Sequence, residues 1–230
     1  MNPHYTYLLI LGLSVLGPLT LSFDKKVAFY TKWRPLLGAV SLPALFYILW
    51  DTWFTHIGIW SFNQQYIIHE TVLFNLPLEE VLFFFVVPFC CVFIYECIRC
   101  YFPRIVNTLW AECFLQGIGI LLLTLALLYH DRYYTFFTFL LNAVAILLIF
   151  LFRSYCKTFN VTAFLLSYII ILIPFLIVNG FLTALPVVIY NDRHNLQIRL
   201  YTIPLEDVFY GMLLIMLTII GYERRKGKIR

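Results

Sequence analysis

Pro77-Leu78-Glu79-Glu80-Val81 returns 127 positions later as Pro204-Leu205-Glu206-Asp207-Val208, each time at the head of a long apolar run. Acid pairs are ordinary on water-exposed helices. These two stand where a chain enters a bilayer, and a carboxylate held near that depth costs a few kcal/mol unless it is paired or neutralised. Proline, then acids, is also a common way to begin a helix, since proline suits the first helical position and the helix dipole favours carboxylates in the first turn. One such motif reads equally well as a helix start. Two at matching positions, in a chain with only 12 acidic residues, read better as one composite polar site in a duplicated membrane protein.

Composition supports the membrane reading. The chain is 62% hydrophobic and 12% charged, where soluble domains carry about 25% charged residues. Taking about 20 residues per crossing, seven spans emerge: Tyr5–Phe23, Pro35–Trp53, Leu78–Ile98, Leu109–Tyr129, Tyr134–Phe152, Val161–Gly180 and Leu205–Tyr222. They leave no room for a soluble domain, so the expected fold is all-α and polytopic. No small-residue cleavage site follows the first apolar run, which therefore reads as a span and not a signal peptide. With the N-terminus outside, 13 basic residues fall inside: Lys25, Lys26, Lys32, Arg34, Arg99, Arg104, Arg153, Lys157, Arg224, Arg225, Lys226, Lys228 and Arg230. Only Arg132, Arg193 and Arg199 fall outside. The positive-inside rule then orients the chain in the cell membrane with a cytoplasmic C-terminus. The net charge of +4 reflects topology, not nucleic-acid binding, and the basic tail is placed to meet anionic headgroups.

The repeat extends upstream of the acids. Asp51-Thr52-Trp53-Phe54-Thr55 with Asn63 aligns with Asn179-Gly180-Phe181-Leu182-Thr183 with Asn191, at an offset of 128. Span two thus matches span six, and span three matches span seven. Residues 1–104 form one three-helix repeat and 133–230 the other, with 105–132 as a linker helix. An odd linker makes the repeats parallel, related by an axis along the membrane normal. Both acid pairs then lie at the outer ends of spans three and seven, and Asp51, at the outer end of span two, approaches their level. Neighbouring helical residues point about 100° apart, so one acid of each pair faces the interior and the other a neighbouring helix. The copies differ: Asn179 stands for Asp51, Val188 for Trp60 and Tyr190 for Phe62.

Other features carry less chemistry. Cys97 and Cys100 could share a helix face, but no second pair or nearby His completes a metal set, so the six cysteines read as soft packing. No metal is expected. The ten scattered glycines include no Gly-x-Gly-x-x-Gly, so no flavin or nicotinamide cofactor is expected either. His69 beside Glu70 could shuttle protons, although an ordinary interfacial histidine is the commoner reading. A retinal Schiff base needs a lysine within the last span, and Leu205–Tyr222 has none.

Leu21-Ser22-Phe23-Asp24-Lys25-Lys26, Trp50-Asp51, Gly58-Ile59-Trp60-Ser61-Phe62-Asn63 and Pro77-Leu78-Glu79-Glu80-Val81-Leu82-Phe83-Phe84 together resemble the membrane-integral lycopene cyclase domain. The whole chain resembles the fused form of a domain that elsewhere occurs as two small subunits. The resemblance implies acid-initiated cyclisation of the acyclic ends of lycopene to ionone rings, β-carotene foremost, without net redox change. Its residues suit that chemistry. The acid must be protonated at neutral pH, which desolvation and an adjacent carboxyl favour and the helix dipole opposes. Glu79, Glu80, Glu206, Asp207 and Asp51 are the expected catalytic acids, with Glu79 and Glu206 as donors and the second member of each pair as the milder partner. Trp53, Trp60, Asn63, Tyr66, Phe83, Phe84, Asn179, Asn191 and Tyr210 are the expected substrate contacts, since aromatic faces can hold a carbocation. The expected partners are lycopene or another carotenoid in the bilayer, membrane lipids and other carotenoid enzymes. Monomer and homo-oligomer stay open. The alternative is a non-catalytic seven-helix carotenoid-binding protein or a proton-coupled carrier. The latter needs a polar route across the membrane, and span seven offers little beyond Asp207 except Tyr210 and Thr218.

Overall fold

A computed structural model describes residues 3–68, 71–73 and 75–227; His69, Glu70, Lys228 and Arg230 lie outside the described residues. Among the described residues seven helices are each long and apolar enough to cross a membrane, and the chain is a multi-pass membrane protein. They are α1 (Thr6–Leu21), α2 (Trp33–His56), α3 (Leu78–Tyr101), α4 (Leu109–Leu128), α5 (Tyr133–Leu151), α6 (Val161–Ala184) and α7 (Leu205–Lys226). Four of them outrun the sequence estimate by three or more residues, among them α3, which runs to Tyr101, and α7, which runs to Lys226. Helix α2 starts at Trp33 and ends at His56, and α6 continues past Gly180 to Ala184. The polar residues at those ends stay helical because the backbone can satisfy its own hydrogen bonds only there. Pro18, Pro43, Pro88 and Pro174 are accommodated inside helices for the same reason that membrane helices tolerate proline: neighbouring groups absorb the freed carbonyls.

Local chemistry sets the helix starts in two ways. Thr108 Oγ1 accepts from Ala111 N (3.3 Å) and Asn160 Oδ1 from Ala163 N (2.9 Å), capping α4 and α6. Helices α3 and α7 have no side-chain cap. Pro77 and Pro204 are the extended residues just before the first turn, one position earlier than the sequence reading placed them. That shift puts both acid pairs at the second and third helical positions, free to bond elsewhere.

The loops at the acidic end carry short ladders that helical periodicity did not reveal. Strand β1 (Trp60–Phe62) pairs antiparallel with β4 (Val188–Tyr190); β2 (Thr71–Leu73) pairs with β3 (Leu76–Pro77), and β5 (Arg199–Leu200) with β6 (Ile203–Pro204). Gly58, at φ +75°, makes the sharp turn from α2 into β1. In the β1–β4 ladder Ser61 lies opposite Ile189, its own counterpart at offset 128. The flanking bonds repeat the pattern, with Asn63 N on Val187 O (2.9 Å) and Asn191 N on Ile59 O (2.8 Å). A segment that pairs antiparallel with its own copy sits on a two-fold axis. The helix packing obeys the same symmetry: α1 lies on α3 as α5 lies on α7, while α2 meets α7 and α3 meets α6. Helix α4 packs on α5 and α6, outside the central four. Small residues permit close approach where no water-driven force joins helices. A Cβ on Gly221 would stand 3.5 Å from Ala39, and one on Gly119 would stand 3.1 Å from Ile146.

Candidate functional site

The ends of α1, α2 and α3 and those of α5, α6 and α7 converge beneath the β1–β4 ladder. There they enclose a cavity of about 50 Å³. Three carboxyl groups line it: Asp51 from α2, Glu80 from α3 and Asp207 from α7. Asn179 lines it at the position equivalent to Asp51. All are buried.

The two members of each acid pair do different work. Glu80 Oε2 accepts from Tyr7 OH (2.7 Å), and Asp207 Oδ1 accepts from Tyr134 OH (2.5 Å). Tyr7 and Tyr134 are repeat equivalents, each in the first turns of its half's first helix. Each also anchors its helix to a loop, through Tyr7 N on Tyr66 O (3.1 Å) and Tyr134 N on His194 O (2.9 Å). Glu79 and Glu206 point away from the cavity to their own loops: Ile68 N donates to Glu79 Oε1 (2.8 Å) and Leu196 N to Glu206 Oε1 (2.7 Å). Their second oxygens are buried without a partner among the described residues, as is Asp51 Oδ2.

Around the acids the walls are aromatic. Trp60 meets Tyr134, Tyr190 and Tyr210 edge-on, at ring-centroid distances of 5.2, 5.9 and 6.0 Å. Tyr210 also packs on Tyr47 (4.7 Å) and Trp50 (4.9 Å), while Tyr47 OH donates to Tyr210 O (2.8 Å). Tyr168 OH donates to Val208 O, and Asn142 Nδ2 to Phe209 O (2.9 Å), so side chains of three helices fix the first turns of α7. Tyr190, in the loop outside the spans, donates its OH to Asp207 Oδ2 (2.8 Å). Burial pushes its phenol well above the ordinary range, and the Asp207 charge adds to this, so it stays a donor at neutral pH.

Of the residues singled out in the sequence, Asp51, Trp60, Glu80, Phe83, Asn179, Asp207 and Tyr210 meet at this cavity. The others lie elsewhere. Trp53 is 42% exposed on the outer face, edge-on to Phe137. Phe84 is fully buried behind the site against Tyr47. Asn63 and Asn191 form loop turns, accepting from Gln65 N (3.0 Å) and Arg193 N (3.2 Å). Tyr66 contributes its carbonyl to Tyr7. Sequence reasoning missed Tyr7, Tyr134 and Tyr190. The first two were within reach, since Tyr7 and Tyr134 share the 127 offset of Glu80 and Asp207. Among the described residues no cluster of three or more His, Cys, Asp or Glu could hold a metal ion.

The family model described as lycopene cyclase matches residues 4–98 and again 131–224, two segments that begin 127 residues apart. Neither a curated protein nor a solved structure matches the chain. The duplicated site and the duplicated match cover the same two halves of the molecule: the chain belongs to the lycopene cyclase family and carries its domain twice.

Proposed function

We propose that this lycopene cyclase forms β-ionone rings at the acid-lined cavity beneath the β1–β4 ladder, which both halves build. Asp51 and Glu80 are the acid side, and Asp207 is the group that takes the proton back. One observation supports this most: three carboxyl groups from both halves share one small aromatic chamber. A carboxyl proton adds to the terminal double bond of the acyclic end, leaving a tertiary cation. The nearby double bond closes on that cation, forming the ring bond and moving the charge into the ring. Loss of a proton beside the new cation, toward the polyene, restores a double bond and gives the β ring. Atoms balance, and no electrons are gained or lost. Asp207 accepts two phenolic O–H groups where Glu80 accepts one. Trp60 and Tyr210 offer π faces to the intermediate. The pair Glu79 and Glu206 hold the loops that roof the chamber.

At about 50 Å³ the cavity has room for one or two waters and not for an isoprenoid end. The site therefore opens to take the chain end and closes around it, which excludes water from the cation. We also assign the acidic end to the outer face and the basic end to the cytoplasm, from the distribution of Lys and Arg. Expression in a lycopene-producing host tests the reading through the absorbance of extracted pigment. Membranes carrying the enzyme and incubated with unlabelled lycopene in heavy water should give β-carotene with one deuterium per ring. Unchanged lycopene, or only ε or γ rings, overturns it.

A further inference from the structure

A second motif is duplicated at the opposite ends of α3 and α7. Tyr95-Glu96-Cys97-Ile98-Arg99 recurs 127 positions later as Tyr222-Glu223-Arg224-Arg225-Lys226. The two-fold brings the copies together, so that Tyr95 faces Glu223 and Tyr222 faces Glu96. Fifteen residues of helix, about 22 Å, separate Tyr95 from Glu80. Cyclisation uses none of these groups.

Part of the cluster is a structural latch. Glu96 accepts from Lys226 Nζ at 2.5 Å and from Lys32 Nζ at 2.6 Å, which ties the end of α7 and the start of α2 to α3. Glu223 is left over. It is 9% exposed, and apart from the Tyr95 phenol that it faces, its Oε1 is buried without a hydrogen-bond partner among the described residues. Beside it lies a cavity of about 460 Å³, walled by Lys32, Glu96, Arg99, Glu223 and Lys226. Arg99 spends one long bond on Ile105 O (3.4 Å), leaving guanidinium donors for the cavity. A latch accounts for Glu96 but not for this space, nor for that carboxylate oxygen in its wall.

An occupant has to satisfy both walls. Among the described residues of its wall, three cations against two carboxylates leave one positive charge in excess, so the occupant brings one negative charge. Glu223 Oε1 asks for a hydroxyl or ammonium donor. The pocket lies where the spans end, the depth of lipid phosphates. We infer that it binds an anionic phospholipid whose headgroup carries a hydroxyl, the phosphodiester on Arg99, Lys32 and Lys226 and the hydroxyl on Glu223. Phosphatidylglycerol has this chemistry. The inference stands apart from the cyclase reading, because its test involves no turnover.

Full-length protein in nanodiscs of phosphatidylcholine, each doped with one second lipid, gives the test, with retained lipid counted by native mass spectrometry. Phosphatidylglycerol should be retained about tenfold over phosphatidylcholine and over phosphatidylmethanol, which has the same charge but no hydroxyl. Arg99→Gln should abolish the preference for anionic lipid. Glu223→Leu should abolish only the difference between phosphatidylglycerol and phosphatidylmethanol. Both variants leave the Glu96 latch intact, so both should insert and fold. Equal retention of phosphatidylcholine and phosphatidylglycerol overturns the site, and a preference for phosphatidylethanolamine overturns the hydroxyl assignment. Displacement of the lipid by soluble glycerophosphoglycerol overturns the lipid as the source.

Discussion

The acid clusters of the two halves share a backbone and differ in chemistry. In the first half Glu80 has one phenol, Tyr7, with Asp51 on the adjacent wall and Phe62 and Phe83 around it. In the second, Asp207 has two phenols, Tyr134 and Tyr190, with Asn179 in place of Asp51 and Tyr210 in place of Phe83. One side is rich in carboxyl groups, the other in O–H donors. Duplication supplied a symmetric frame, and under the proposed mechanism substitution within it separates proton donation from proton removal. A site with identical halves would have to run both steps from the same environment.

The largest effects should come from the cavity acids. Glu80→Gln and Asp207→Asn should each lower ring formation by about 10²–10⁴-fold with the protein still inserted, read as the lycopene-to-β-carotene ratio of extracts. Glu79→Gln and Glu206→Gln should be milder, the reverse of what the sequence motif led us to expect, because their side chains bond Ile68 and Leu196 and not the cavity. Loss of activity only in the Glu79 and Glu206 variants would break the division within each pair.

Next comes the carboxyl that has no counterpart. Asp51→Asn makes the first half resemble the second and should cost about 10²-fold. If the halves divide the work, Asn179→Asp in the same chain should not restore activity, since the new acid stands on the phenol-rich side. Full rescue would show that only the number of carboxyls matters.

Tyr190→Phe performs the converse exchange, giving Asp207 the single phenol that Glu80 has. Losing one hydrogen bond to a charged group should cost about tenfold in turnover, with little change in membrane insertion. An unaltered rate would mean that the second phenol only packs.

How much of this was legible in the sequence follows from what kind of signal each feature leaves. The seven spans and the acid repeat were plain, because bilayer thickness and the cost of buried carboxylates write directly into composition. Asp51 and Asn179 were found as a pair by offset alone. Which acid of each pair faces the chamber was not legible. That depends on how far α3 and α7 are rotated about their own axes in the bundle, where a single residue step is about 100°. The β1–β4 ladder was hidden because three-residue strands leave no periodicity. Trp53 and Phe84 belong to the same aromatic-rich stretches as Trp60 and Phe83, and only helix phase sends them outward or behind the site.

The smallest expected effect lies at Thr135, whose buried Oγ1 donates to Glu206 Oε1 at 2.6 Å. Its repeat equivalent is Leu8, so Glu79 is held by the Ile68 amide without such a hydroxyl. Thr135→Val therefore converts the second loop anchor into a copy of the first. Glu206 Oε1 keeps the Leu196 N–H, so no donor is stranded and the cost should be about 1 kcal/mol of stability. That appears as a slightly lower unfolding temperature in detergent, with ring formation within about twofold of the unaltered protein. The size of the change is informative in one direction. If Thr135→Val depresses cyclisation as severely as Asp207→Asn, then Glu206 reaches the reacting chain end in the working enzyme, and its loop is part of the chemistry and not only the roof.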